Sequence, residues 1–145
     1  MNVVNEFRLT VDSKSINEAF CRVVVSSFIT PLDPTIEELN DLKTAVSEAV
    51  TNSIVHGYAD SFGKIYIVGT VYDNSIVRIK IRDKGIGIKD LDKAMTPLFT
   101  TGGSDRAGLG FTVMQSFCDK IKVTSSLNKG TTVVLTKKIL GRAKW

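Results

Sequence analysis

The sequence predicts an α+β fold, a two-layer α/β sandwich with helices on one face of a mostly antiparallel mixed sheet. Three observations carry this. Five segments alternate polar and apolar residues with the period of a half-buried strand, others repeat apolar residues at helical spacing behind capping signals, and the two kinds do not alternate strictly along the chain. The order read off is β-α-α-β-β-(α)-α-β-β, and 145 residues suit one domain spanning 1–145.

The elements follow in order. Glu6 to Val11 places Phe7, Leu9 and Val11 on one face of a first strand. Ser15-Ile16-Asn17-Glu18 reads as a capping box, with the serine hydroxyl accepting from backbone N–H and the glutamate reaching back. Behind it Ile16, Phe20, Val23, Val24 and Phe28 recur at helical spacing, and Pro31 and Pro34 end the helix. Thr35-Ile36-Glu37-Glu38 is a second capping box. It opens a helix predicted to run to His56, with Gly57 suited to a left-handed position after its end. Leu39, Leu42, Val46, Ala49 and Val50 form its apolar stripe. Two strands, Lys64–Tyr72 and Ser75–Arg82, meet at a tight turn over Asp73-Asn74. A Gly-punctuated segment, Asp83–Ile88, follows, then a short helix around Asp90–Met95 that stops before Pro97. Thr100–Ala107 is polar and Gly-rich and reads as a mobile loop. Gly108-Leu109-Gly110 leads into a helix to about Cys118, and strands Lys120–Ser125 and Thr131–Lys137 close the chain around Leu127–Gly130.

Composition narrows the function. No apolar run approaches the roughly 20 residues that span a bilayer, and the start lacks the basic and apolar regions of a signal peptide, so a cytoplasmic protein with no membrane contact is expected. Cys21 and Cys118 lie far apart inside apolar segments and make no metal-site pattern; they are expected as buried thiols. The net charge is +4, but the basic residues look scattered apart from a tail cluster of Lys137, Lys138, Arg142 and Lys144. A solvated surface without direct nucleic-acid binding is the expectation.

Four short patterns bear on chemistry. Glu48 and Asn52 are four apart on the second helix and share a face, so a carboxylate that could act as general base stands beside an amide oxygen suited to Mg²⁺. An ordinary polar helix surface gives the same pair. Asp83-x-Gly85-x-Gly87 follows a strand. Its glycines let backbone approach a flat ring, and an ionised aspartate accepts from an exocyclic amine, though a plain strand-to-helix turn has the same composition. Gly108-x-Gly110 at a helix start offers free N–H groups to a phosphate, or is simply a first turn. Gly130-Thr131 begins the last strand, where the Thr131 hydroxyl could face either sheet surface.

Taken together, in this order and spacing, the four patterns resemble the N, G1, G2 and G3 boxes of the GHKL (Bergerat-fold) ATPases across nearly the whole chain. That resemblance implies ATP or ADP and Mg²⁺ as cofactors, Glu48 as general base, and Asn52 as Mg²⁺ ligand. Asp83 would hold the adenine amine with support from Thr131, and Gly85, Gly87, Gly108 and Gly110 would shape base and phosphate contacts. The run Leu42–Tyr58 looks like the corresponding helix of anti-sigma factor serine kinases. Pro97-Leu98-Phe99-Thr100-Thr101 and Asn128–Thr132 resemble the sporulation members, the anti-sigma F factors.

This narrower resemblance implies a homodimer that binds a sporulation sigma factor when loaded with nucleotide and phosphorylates a serine of an anti-anti-sigma factor. The alternative is a nucleotide-gated sigma-binding module with little kinase activity. It also implies nucleotide contacts from Thr100 and Thr101, while Arg106, the one cation of a lid that is Gly-rich and slightly short for the family, is a candidate phosphate contact or a solvent-exposed loop arginine. Arg22 on the first helix is a candidate partner contact or a solvated arginine. His56, the sole histidine, is expected as a helix-end or pocket-edge residue rather than a phosphorelay acceptor.

Overall fold

A computed structural model describes residues 1–90 and 105–142, the side chains of 105–109 excepted. The strands are β1 (Val3–Asp12), β2 (Lys64–Tyr72), β3 (Ile76–Asp83), β4 (Lys120–Ser126) and β5 (Gly130–Lys138). The helices are α1 (Ile16–Ile29), α2 (Ile36–Asn52) and α3 (Asp105–Phe117). The strands form one sheet in the order β1-β2-β3-β5-β4, and every pairing is antiparallel. The expected short helix after Asp90 lies outside the described residues.

Alternation decides which face is covered. Ile65, Ile67 and Val71 of β2, Val77, Ile79 and Ile81 of β3, and Val133 and Leu135 of β5 stand in register and are buried against the helices. The other face carries the intervening, mostly polar residues and, among the described residues, has no helix on it. In the helix layer α2 lies between α1 and α3 and buries Leu42, Ala45, Val46, Ala49 and Val50. Phe7 of β1 meets Phe28 of α1 edge-to-face, ring centroids 4.6 Å apart. Cys21 is fully buried and Cys118 partly so. Both are free thiols, which burial pushes up to about 11 and about 12.

Three local expectations are corrected. The Ser15 capping box does not form: Ser15 is itself helical (φ −58°, ψ −28°), with no side-chain cap bond, and Glu18 pairs with Arg22 instead. With it goes the predicted inward stripe. The helix buries Cys21, Val25 and Ile29, leaving Ile16, Phe20 and Val23 at 76, 50 and 62% exposure, because both faces of α1 are apolar and periodicity alone cannot choose between them. Second, α2 ends at Asn52 rather than His56. It widens into a π turn over Ser53–Gly57, where Tyr58 N–H reaches the Ser53 carbonyl (2.9 Å), and Gly57 takes no left-handed angle. Third, α3 starts at Asp105, so residues 105–107 are helical. Arg and Ala are strong helix formers and an acidic residue suits the first turn.

The second capping box forms fully and does more than start a helix. Thr35 Oγ1 accepts from Glu38 N–H (3.0 Å) while the Glu38 carboxylate accepts from Thr35 N–H (2.9 Å), from Leu140 N–H (2.7 Å) and from Gly141 N–H (3.1 Å). Arg142 also pairs with Asp33. Helix α2 is thereby fastened to the segment after β5. Partial burial raises the Glu38 pKa, but the backbone N–H donors outweigh it and hold the carboxyl below its ordinary 4.5. A depressed folded value means stability that is complete above about pH 4.5 and is lost as pH falls through the folded pKa. Glu38→Gln should therefore lower stability by about 1–2 kcal/mol at pH 7. The gap to the parent protein should narrow below pH 4.5, as read by urea midpoints across that range.

Candidate functional site

The chemistry-bearing residues gather where the C-terminal end of α2, the end of β3 and the start of β5 converge. Asp83 closes β3 on the helix-facing side of the sheet and is only 3% exposed. A buried carboxylate needs donors, and it has three. Ser53 Oγ donates to Oδ2 (2.9 Å), while Gly85 N–H (2.9 Å) and Thr131 N–H (3.3 Å) donate to Oδ1. Each carboxylate oxygen has two acceptor sites, so Oδ2 keeps one beyond its bond to Ser53. The Thr131 hydroxyl points the same way and lies 2.8 Å from Ser125 Oγ, which accepts from Ile88 N–H (2.8 Å).

The glycines allow this convergence. A Cβ on Gly85 would sit 2.0 Å from the Gly57 carbonyl oxygen, and the neighbouring Ile86 N–H donates to that same oxygen (2.9 Å). Gly130 has φ +109°, a left-handed angle that L side chains resist, and a Cβ there would meet the Asp83 carbonyl oxygen at 2.0 Å. Gly87 (φ +74°) approaches the Ser126 carbonyl in the same manner. The segment after β3 is thus pressed between the π turn and the β4–β5 turn. Tyr58 braces it: its hydroxyl donates to the Lys64 carbonyl (2.7 Å) and accepts from Lys84 N–H (2.7 Å), and burial raises its pKa.

Glu48 and Asn52 share a face of α2, as their spacing requires, and α3 rests on that face through Gly110. A Cβ on Gly110 would stand 3.2 Å from both amide atoms of Asn52 and from Glu48 Oε2. The Asn52 Nδ2 donor is buried with no hydrogen-bond partner among the described residues, the kind of orphan that an added acceptor would satisfy.

The structure therefore brings together Glu48, Asn52 and Gly110, and separately Asp83, Gly85, Gly87 and Thr131. Gly108 and Gly110 lie inside α3 rather than opening it, so the unpaired N–H groups of its first turn come before Gly110. Thr100 and Thr101 lie outside the described residues, as does the Arg106 side chain. Arg22 stands apart, pairing with Glu18 (3.3 Å) and lining a cavity of about 340 Å³ between α1 and α2 with Asn40, Lys43, Thr44 and Ser47. Sequence reasoning missed Ser53, Gly57, Tyr58 and Ser125.

The chain is of the histidine kinase-like ATPase domain class, whose family model matches residues 14–137. Among solved structures, the RsbU and RsbW domains of a Mycobacterium tuberculosis protein superpose with a TM-score of 0.72 at 19% identity, covering 98% of this chain and 34% of that one. A histidine kinase domain from Erythrobacter litoralis gives 0.55 at 18% identity, over 84% of this chain and 61% of that one; both likenesses speak to the fold alone. Sequence relatives are far nearer. An anti-sigma F factor of Thermoanaerobacter pseudethanolicus is 53% identical over 140 residues, 96% of this chain and 97% of that protein. Those of Bacillus velezensis and Priestia megaterium are 52% and 50% identical over 135 residues, 92% of each chain. The chain belongs to the anti-sigma F factor family.

Two glycine substitutions separate backbone from side-chain crowding. Gly85→Ala forces a Cβ onto a backbone oxygen and should cost more than about 2 kcal/mol. Gly110→Ala meets only side-chain atoms that can shift and should cost about 1 kcal/mol or less. Thermal and urea unfolding of the two variants check the contrast.

Proposed function

We propose that this chain is a Mg²⁺-ATP-dependent protein-serine kinase that also holds a sporulation sigma factor in its nucleotide-bound state. The observation that carries the reading is the buried Asp83 carboxylate, fixed by Ser53, Gly85 and Thr131 with acceptor capacity left on Oδ2. The relatives' name, anti-sigma F factor, supplies the class of partner. The phosphoacceptor is then a serine on a small anti-anti-sigma protein, and the working form is a homodimer.

In this reading Asp83 accepts from the adenine amine, with Thr131 supporting it, and Gly85 and Gly87 keep the base flat against the sheet end. Asn52 fits a Mg²⁺ site. Its amide oxygen is the hard ligand type that Mg²⁺ takes, and the buried, unpartnered Nδ2 donor beside it suits a phosphate oxygen. When bound, that ion neutralises phosphate charge. Glu48, on the same helix face, orients the incoming serine hydroxyl and takes its proton. Positioning and charge neutralisation do most of the work in phosphoryl transfer. Gly108, Gly110, Thr100, Thr101 and Arg106 complete the phosphate side, and Arg22 belongs to partner recognition.

The test uses radiolabelled ATP with Mg²⁺ and the anti-anti-sigma partner of the same organism. Label should appear on a partner serine with the wild type, and Glu48→Ala should keep nucleotide affinity while lowering transfer by about 10² or more. Tight ATP binding with no label from the wild type would sink the kinase assignment and leave a nucleotide-gated sigma-binding module. Asp83→Asn turns an acceptor into a donor facing the adenine amine, so ATP affinity should fall at least about tenfold. Undiminished affinity by titration calorimetry would remove Asp83 from the adenine site.

A further inference from the structure

The helix-free face of the sheet collects charges that are scattered in the sequence. Along β3, Arg78, Lys80 and Arg82 point to this face at successive same-side positions, about 7 Å apart. On β4, Lys120 and Lys122 point the same way. The registers set Lys80 and Lys122 on either side of Val134, and Arg78 and Lys120 on either side of Thr136. Two cationic walls, two strands and therefore about 10 Å apart, thus flank a floor of Thr132, Val134 and Thr136 from β5.

These charges are not compensated by the described residues. None of the five cations makes an ion pair among the described residues. The acids of this face, Glu6 and Asp12, sit on β1 at the far edge and are engaged by Arg8 (3.6 Å) and Lys64. Asp119, just before β4, accepts from Lys138 N–H (2.6 Å). A set of like charges held in line repels itself, and an anionic partner relieves that cost.

We propose that this channel is a docking surface for an acidic protein segment, with carboxylates on its two edges and a small or apolar strip between them. The width matches a helix of about 10–12 Å diameter carrying acids on both flanks. The floor favours protein over nucleic acid. Single strands bind where bases stack on aromatic rings, but the channel floor has none. The two tyrosines elsewhere on this face are covered by cations, Arg78 over Tyr72 (5.2 Å) and Lys84 over Tyr66 (5.0 Å). Nothing on the flat face projects to enter a duplex groove. The helices and the Asp83 cluster lie on the opposite side of the sheet, so an occupant here leaves both accessible.

The test is fluorescence anisotropy with a short labelled peptide of glutamate, alanine and leucine, on the full chain at low and physiological salt. Wild type should bind it, more weakly as salt rises. Lys80→Glu/Lys122→Glu should bind at least about tenfold less well, while the control Lys14→Glu/Lys43→Glu, with the same net charge but outside the channel, should stay within about twofold. Should the reversal destabilise the fold by urea midpoint, Lys80→Gln/Lys122→Gln replaces it, with about threefold weakening expected. Equal loss in the control would reduce the effect to overall charge. Tighter binding of a single-stranded oligonucleotide of the same charge, abolished by the channel variant, would make this a nucleic-acid surface. No binding by wild type, with a changed sedimentation mass for the channel variant, would give the face to a second copy of the chain. Each of those three results overturns the proposal.

Discussion

The candidate site depends on a single buried carboxylate. Asp83 draws a donor from the π turn, a donor from the glycine segment that follows it, and a donor from the first residues of β5. Three pieces of chain that are distant in sequence are pinned to one point because a buried charge cannot go unsatisfied. The glycines are a consequence: with the carboxylate fixed, the surrounding backbones come so close that side chains at 85 and 130 have no room. The π turn meets the same point through Ser53, its first residue, and presents the Gly57 carbonyl to Ile86.

Most of the fold was legible in the sequence because its strands bury one face only, and the period of two survives every neighbour. All five strands fall within a few residues of expectation, as does the Thr35 cap. What failed were features that local pattern leaves undetermined. Helix α1 has apolar residues all round, so its inward face depends on what it packs against, and Cys21, Val25 and Ile29 take that place instead of Ile16, Phe20 and Val23. The π turn carries no local sequence signal, since its residues continue the helical spacing of α2.

Of the missed residues, Ser53 and Ser125 did leave a trace. Asp83 follows Val77, Ile79 and Ile81 in the buried row of β3; Ser125 follows Ile121 and Val123 in β4; Thr131 precedes Val133 and Leu135 in β5. Ser53 extends the buried stripe of α2 by one step. Each is a polar residue at the end of an apolar row, and all four rows end at the same corner of the molecule. Reading where apolar patterns break, as well as where they hold, would have named Ser53 and Ser125 beside Asp83 and Thr131. The charge pattern was missed for the complementary reason: Arg78, Lys80, Arg82, Lys120 and Lys122 look dispersed along the chain and become neighbours only through strand order.

The Glu38 clamp has a consequence for how the molecule comes together. The residues it joins are 102 and 103 positions apart, and the Arg142–Asp33 pair spans 109. Contacts of that separation close large loops and form late. Residues 140 and 141 are made about a hundred residues after Glu38, so the start of α2 waits for them before its clamp can close. Until they are made, α2 keeps its Thr35 cap and its apolar stripe but lacks the tie to the segment after β5.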